Sequence, residues 1–156
     1  ETANRAGIHT SFCVIGGTPT LPIPGQLRSR YRPLGHLPAE EVSRAISAVD
    51  LMGVPFVDGV SERRTTMMAA LAHGVPVVGT IGSSTGSALR AARFMALSPA
   101  QEEKPFVQNV VNLLYDDEAR RTLAEAGARA YETEYSWPVT VARLRDRMQQ
   151  GGLLSA

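Results

Sequence analysis

The sequence is poor in the residues that often reveal a function. It has one cysteine (Cys13), one lysine (Lys104), 6% aromatic residues and a net charge of +1. A single cysteine excludes a disulfide framework, and the small net charge provides no overall field to attract nucleic acid or an anionic membrane. No apolar run is long enough to span a bilayer, and no signal peptide is recognisable. We therefore expect a cytoplasmic protein with no nucleic-acid partner and no membrane insertion.

The length of the chain fits one ordinary domain. With 156 residues, 44% of them hydrophobic, it can bury roughly two thirds of its unfolded surface. We predict a single domain over 1–156 with a helical C-terminal part at 103–150. The chain begins abruptly at Glu1, and we expect it to be part of a longer protein. Cys13 lies in an apolar stretch, which favours a place in the core.

Short apolar runs alternate with helical patterns along most of the chain. Helices are predicted from Pro38, with Val42, Ala45, Ile46 and Val49 on the inner face, and then over 66–73, 106–114, from Asp116 and from Pro138, the last with Val141, Leu144 and Met148 facing inwards. Strands are predicted at 9–15, 30–34, 50–57, 75–79 and 94–97. This alternation predicts an α/β fold, a Rossmann-like parallel sheet flanked by helices.

The stretch 58–80 combines a loop, a helix, a tight turn and a buried strand. Ser61 is a suitable N-cap, and Gly74 is typical of the position just after a helix. Uncapped N–H groups at a helix start, guanidinium groups and hydroxyls are what a phosphate site needs. We predict such a site from Ser61, Glu62, Arg63, Arg64, Thr65 and Thr66.

Two further loops are rich in glycine or hydroxyl groups. Gly16 and Gly17 follow the first strand, and Ser83, Ser84 and Thr85 lie in a loop predicted over 81–89. In a parallel sheet the ligand lies at the carboxyl ends of the strands, where all these loops are expected. Ordinary alternatives stay open for each of them: solvated arginines, helix capping, a polar loop and a plain turn. The proline-rich stretch 18–29 is predicted to be a loop.

No metal site is predicted. His9, His36 and His73 show no metal-ligand spacing with any Cys, Asp or Glu cluster, and His73 is interpreted as structural at a helix end. Met67 and Met68, with Leu71 and Ala72, are expected to form the apolar face of the central helix.

Several segments, taken in order, resemble the C-terminal, donor-binding half of retaining GT-B glycosyltransferases (glycosyltransferase group 1). They are GHLPAEEV from Gly35, AVDL from Ala48, AALAHGVPVV from Ala69 and YSW from Tyr135. The resemblance covers roughly residues 8–149. It implies binding of a nucleoside diphosphate sugar and transfer of the sugar to an unknown acceptor. The sugar donor would be a substrate, so no cofactor and no metal are expected.

The same resemblance implies several roles and two departures. The N–H groups of Arg64, Thr65 and Thr66 would face the diphosphate, and the backbone of Tyr31–Gly35 would face the base. Members of this family usually carry two glutamates, for the donor sugar and the ribose, where this chain has Ser61 and Ala69. Glu62 stands one position from the first of them.

The N-terminal, acceptor-binding half is missing from the chain, so this part alone is not expected to catalyse transfer. Trp137 is expected either in the core or in contact with that missing half, with the core favoured. A second interpretation is a non-catalytic nucleotide-binding or scaffold domain. A third, a dinucleotide-binding Rossmann domain, lacks support because no GxGxxG motif follows a strand, and the glycines at 82 and 86 do not have that spacing.

Overall fold

The computed structural model describes residues 7–17 and 22–151. The chain divides into two compact units, Glu1–Ala48 and Val49–Ala156, and each is described by itself. Among the described residues, no helix is long and apolar enough to cross a membrane. Residues 18–21 of the predicted proline-rich loop lie outside the described part.

The N-terminal unit contains a two-stranded parallel sheet. Strand β1 (Phe12–Ile15) pairs with β2 (Tyr31–Gly35), with a register shift between Val14 and Ile15. Helix α1 (Ala39–Ser47) begins directly after Pro38 and has Ile46 as its buried residue. Proline is suited to a helix start because its φ is fixed and it has no N–H to leave unpaired.

Two expectations about this unit are wrong. Residues Gly25–Arg30, predicted as loop as far as residue 29, form a 3₁₀ helix that leads directly into β2. Cys13, predicted in the core, is exposed, and so is its neighbour Phe12. The apolar pattern of β1 identified the strand correctly, but it did not show which face of the strand is covered.

The C-terminal unit contains a three-stranded parallel sheet with β4 in the centre. Its strands are β3 (Met52–Val54), β4 (Val77–Ile81) and β5 (Ala96–Pro99), and β4 pairs with both others. Its helices are α2 (Thr65–Ala72), α3 (Ser87–Arg90), α4 (Glu103–Tyr115), α5 (Asp117–Ala130), a π-helical turn (Tyr131–Tyr135) and α6 (Trp137–Gln150). The predicted α/β fold with parallel strands flanked by helices is confirmed.

The core of this unit lies around β4 and α2. Val77, Val78, Met67 and Leu71 are fully buried, as the apolar run and the helical spacing predicted. Ala72 was also expected on the buried face of α2 but is exposed, whereas Ala70 is buried. Helix α2 has only eight residues, and in so short a helix the spacing of alanines alone defines the inner face poorly.

Helix α2 ends in a glycine turn. Gly74 has φ +63°, its N–H donates to Leu71 O over 3.0 Å, and the N–H of Val75 donates to Ala70 O over 2.9 Å. These two bonds satisfy carbonyl groups that the helix end would otherwise leave open. The predicted role of Gly74 is confirmed, and the chain passes directly from helix to strand.

Several element boundaries in this unit differ from the prediction. β3 is shorter than 50–57, because Pro55 has no N–H for a strand ladder, and Val57 is 85% exposed. The predicted loop 81–89 contains the start of α3. The last strand lies at Ala96–Pro99 rather than at 94–97.

The C-terminal helices confirm one prediction and correct another. The Asp116 carboxylate accepts a hydrogen bond from the N–H of Ala119 over 2.8 Å, and so it caps α5 as expected. On α6, however, Val141 and Leu144 are exposed, and Trp137, for which the core was favoured, is 76% exposed. The apolar spacing of α6 was genuine, but within the described residues that face is not covered.

Candidate functional site

Two loops leave the same edge of the three-stranded sheet. The first loop (residues 55–64) follows β3, and the second loop (residues 82–86) follows β4. Because β3 and β4 are parallel neighbours, their carboxyl ends point to one side, which is where ligands bind in open α/β sheets. The predicted convergence of these two loops is confirmed.

The two loops touch through their backbones. Gly59 has φ +86°, and a Cβ atom added to it would lie 2.2 Å from Gly82 N and 2.3 Å from Thr85 Oγ1. A Cβ atom on Gly82 would lie 2.4 Å from the carbonyl carbon of Asp58. Both positions therefore require glycine, since any side chain would separate the loops.

Hydrogen bonds connect the first loop with β4 and the second loop. Val60 N donates to Thr80 O over 2.8 Å, and Ser84 N donates to Asp58 O over 2.8 Å. The hydroxyl of Thr80 donates to Phe56 O over 2.5 Å. These bonds satisfy backbone groups that would otherwise be unpaired at the end of the sheet.

A carboxylate lies where the two loops meet. Arg64 Nη2 is 2.5 Å from both carboxylate oxygens of Asp58, and the Ser84 hydroxyl donates to Oδ2 over 3.0 Å. The guanidinium carbon of Arg64 also lies 4.0 Å from the centre of the Phe56 ring. The side chains of Arg64 and Asp58 are 30% and 41% exposed, so the pair lies at the surface of the site.

The same contacts affect the ionisation of Asp58. The hydrogen bond from the Ser84 hydroxyl is the largest cause that lowers the pKa of this carboxyl below 3.8, and the positive charge of Arg64 also lowers it. Partial desolvation acts in the opposite direction. The carboxylate is therefore charged at neutral pH, and it neutralises the charge of Arg64 locally.

The start of α2 differs from the prediction. The helix begins at Thr65 with Arg64 in the N-cap position and no side-chain cap, so Ser61 is not the N-cap. Instead, Ser61 O accepts a hydrogen bond from Arg64 N over 3.0 Å and closes a turn before the helix. Thr65 and Thr66, at the first two helical positions, are exposed.

Glu62 and Arg63 are exposed in the turn before α2. The carboxylate of Glu62 lies over Gly86, because a Cβ atom added there would be 3.5 Å from Oε1. The charge of Glu62 also contributes to a raised pKa of the Tyr135 hydroxyl, for which burial is the largest cause. Glu62 thus lies between the second loop and the π-helical turn.

The remaining predicted residues have different surroundings. Ser83 is exposed in the second loop, whereas Thr85 is buried, and its hydroxyl accepts from Gly82 N over 3.1 Å. Gly16 and Gly17 belong to the N-terminal unit. Gly16 has φ +104° and donates its N–H to Gly35 O over 2.8 Å. Whether these residues contact a ligand stays a prediction.

Sequence reasoning missed Asp58. It is the first residue of the stretch 58–80, but no role was predicted for its carboxylate. The sequence did contain one signal: Asp58 is followed by Gly59 and stands six residues before Arg64. A turn at the glycine brings the two charges together.

Among the residues that the structure describes, no group of three or more His, Cys, Asp or Glu side chains could hold a metal ion. His73 Nδ1 lies 2.7 Å from Ala69 O at the end of α2.

No protein-family model matches the chain, and no curated protein matches it in sequence. Solved structures do match. Sucrose-phosphate synthase from Thermosynechococcus elongatus superposes with a TM-score of 0.76 at 18% identity, over 99% of this chain and 41% of that one. HepE from Anabaena, solved in complex with UDP, matches with a TM-score of 0.71 at 14% identity, over 90% of this chain and 41% of HepE.

A second HepE structure, in complex with UDP-glucose, matches with a TM-score of 0.64 at 16% identity. It covers 80% of this chain and 34% of the other. This chain therefore spans less than half the length of the structures it matches. The resemblance seen in the sequence is confirmed at the level of the fold: the chain has the α/β fold of one half of a GT-B glycosyltransferase.

Proposed function

We propose that this chain is the donor-binding half of a glycosyltransferase and that it binds a nucleoside diphosphate sugar. The matched structures support the proposal, because two of them are complexes of HepE with UDP and with UDP-glucose. The observation that carries it in this chain is the placement of Arg64 at the uncapped start of α2, beside the second loop.

The chemistry of this arrangement suits a diphosphate. The N–H groups of the first helical turn carry partial positive charge and accept anions. A guanidinium has five N–H donors, and both contacts of Arg64 with Asp58 use Nη2, so the carboxylate occupies one nitrogen. The Ser83 hydroxyl and the exposed Thr65 and Thr66 hydroxyls add small donors.

The proposed reaction is transfer of the sugar to an acceptor held by another part of the protein. Arg64 and the start of α2 would stabilise the charge that develops on the leaving diphosphate. They would do so without a metal ion, so EDTA is expected to leave affinity for the donor unchanged.

We also propose that the protein is located in the cytoplasm, and cell fractionation tests this location.

A thermal-shift screen tests the proposal in the intact protein. UDP-, GDP-, ADP- and dTDP-sugars are compared, because a ligand that binds the native state raises Tm. Calorimetric titration of the best ligand then compares wild type with Arg64→Gln and with Arg145→Gln, a control at an exposed position of α6. Hydrogen bonds to a charged group are worth about 1.5–3 kcal/mol, so Arg64→Gln should weaken binding roughly tenfold to a hundredfold.

Two results would contradict the proposal: no Tm shift with any of the four sugar nucleotides, or equal affinity of the wild type and Arg64→Gln.

A non-catalytic nucleotide-binding domain is the second candidate. It is favoured by the alanine at position 69 and the serine at position 61, where the resembling family carries glutamates. Binding of the sugar nucleotide without any transfer or hydrolysis by the intact protein would support this candidate. The third interpretation, a dinucleotide site, predicts a fluorescence change on titration with NADH.

A further inference from the structure

We propose that Asp58 is a positioning residue, which holds Arg64 and the second loop in their binding geometry before a ligand arrives. The inference rests on the proposed function and extends it to a residue that would not itself contact the diphosphate.

The carboxylate of Asp58 lies between two elements of the candidate site. One oxygen of Asp58 contacts Arg64 alone, and the other contacts both Arg64 and the Ser84 hydroxyl. The main-chain carbonyl of Asp58 accepts from Ser84 N as well. One residue thus connects the arginine at the start of α2 with the loop after β4.

The side chain of Arg64 is partly buried. Its guanidinium lies over the Phe56 ring, and its Nε is buried without a hydrogen-bond partner among the described residues. The hydrogen bonds of this guanidinium within the described residues go from Nη2 to Asp58. Without the carboxylate, Nη2 would lack a partner as Nε already does, and a partly buried guanidinium with two unpaired nitrogens is costly. Asp58 is therefore what keeps Arg64 folded back against the loop rather than extended into solvent.

An ordered Arg64 side chain favours binding of a ligand. A long side chain loses rotamer freedom when it contacts a ligand, and ordering it in advance removes that cost from the binding step. Asp58 orders Arg64 through Nη2 and leaves Nη1 for the phosphate. It also orders Ser84 in the second loop. Removing the carboxylate charge should therefore weaken binding of phosphate groups and leave binding of the base and ribose unchanged.

Competition is the opposing mechanism. A carboxylate beside Arg64 repels a phosphate and occupies the guanidinium, so Asp58→Asn would then strengthen binding. The two mechanisms predict opposite signs, and a titration separates them.

The experiment uses the intact protein and calorimetric titration with UDP, GDP, ADP and dTDP, each compared with its nucleoside. For Asp58→Asn we expect affinity for the diphosphate to fall roughly threefold to tenfold, the cost of ordering a long side chain, with affinity for the nucleoside unchanged. Asp146→Asn, at an exposed position on α6, is the matched control and should behave as wild type. Ser84→Ala keeps the ion pair and should show a smaller loss. Unchanged or higher affinity for the diphosphate in Asp58→Asn overturns the proposal.

A measurement without ligand distinguishes failure of this proposal from failure of the proposed function. NMR of the arginine side chains, with Arg64 assigned through Arg64→Lys, should show a slowly exchanging Nε–H in the wild type. Exchange should be at least tenfold faster in Asp58→Asn. Equal protection in both proteins refutes the positioning role, whatever the nucleotide result. If the wild type binds none of the four diphosphates, the proposed function fails, and this measurement still decides whether Asp58 holds Arg64.

Discussion

The contact between the first and second loops gives a quantitative test of the site. In Gly59→Ala the new methyl group would lie 2.2 Å from Gly82 N and 2.3 Å from Thr85 Oγ1. Neither atom is the free end of a flexible side chain: one is backbone, and the other belongs to a buried threonine that is already hydrogen-bonded. The two loops would have to move apart.

Two separate costs arise from this substitution. A residue with a side chain in the left-handed region costs about 1–2 kcal/mol, and Gly59 has φ +86°. Forcing a methyl group into an occupied space costs typically about 1–3 kcal/mol. Together they predict that Gly59→Ala lowers the free energy of unfolding by about 2–5 kcal/mol, a large share of the ~5–15 kcal/mol typical of a folded protein.

Two matched variants separate these costs. Gly74 has φ +63° and no atom within 4 Å of an added Cβ, so Gly74→Ala carries the backbone cost alone. The φ of Gly82 lies outside the left-handed region, but a Cβ atom there would lie 2.4 Å from Asp58 C. Gly82→Ala therefore carries the contact cost alone.

Urea unfolding followed by circular dichroism gives the free energy of unfolding for the wild type and the three variants. Gly59→Ala should be the least stable, with a loss near the sum of the other two losses. If Gly59→Ala costs no more than Gly74→Ala, the two loops are not in contact in solution, and the site geometry described above is wrong.

Two further predictions concern single carboxylates. Asp116→Ala should lower the free energy of unfolding by about 1 kcal/mol, because it removes the bond to Ala119 N, while Asp146→Ala should change it little; equal losses in urea unfolding would contradict the capping role. The second prediction is acid destabilisation through Asp58, whose pKa is lowered below 3.8 mainly by the Ser84 hydroxyl. A group with a lowered folded-state pKa stabilises the fold above its unfolded pKa and loses that contribution as pH falls through the folded value. Urea midpoints between pH 5 and pH 2.5 should therefore fall more steeply for the wild type than for Asp58→Asn, and parallel curves would contradict the lowered pKa.

The fold could be predicted from the sequence because its local signals agree with one another. Pro38 at the start of α1, Asp116 at the start of α5 and Gly74 after α2 each satisfy a backbone requirement at a helix end, and each was identified from residue type. The apolar run 75–78 predicted a buried strand, which β4 confirmed. These signals depend on neighbours in sequence, and a single chain therefore contains them.

The errors concern surfaces and long-range contacts. The pattern of Trp137, Val141 and Leu144 predicted an inner face on α6, since periodicity shows that a face is apolar but not that another element covers it. Ser61 has the right side chain for an N-cap, yet the turn closed by Arg64 moves the helix start to Thr65. Cap preference cannot reveal this, because the turn depends on the path of the loop.

The sequence predicted most of the residues of the candidate site but not how they contact one another. The arginines, hydroxyls and loops near the start of α2 came from residue type and position. The ion pair between Asp58 and Arg64 did not, because it requires Gly59 to turn the chain at positive φ. That turn is possible only where Gly82, 23 positions later, leaves room for it. No local window of sequence contains this information.

The contact between Gly59 and Gly82 also restricts how this region can vary in length. Surface loops ordinarily accept insertions and deletions. Here each loop fits against the other without space for a side chain, and Ser84 N is hydrogen-bonded to Asp58 O. A residue added to either loop near this contact would shift one backbone past the other and break their register. Changes in the length of the two loops must therefore occur together. In a graft onto another protein, both loops should be transferred at the same time.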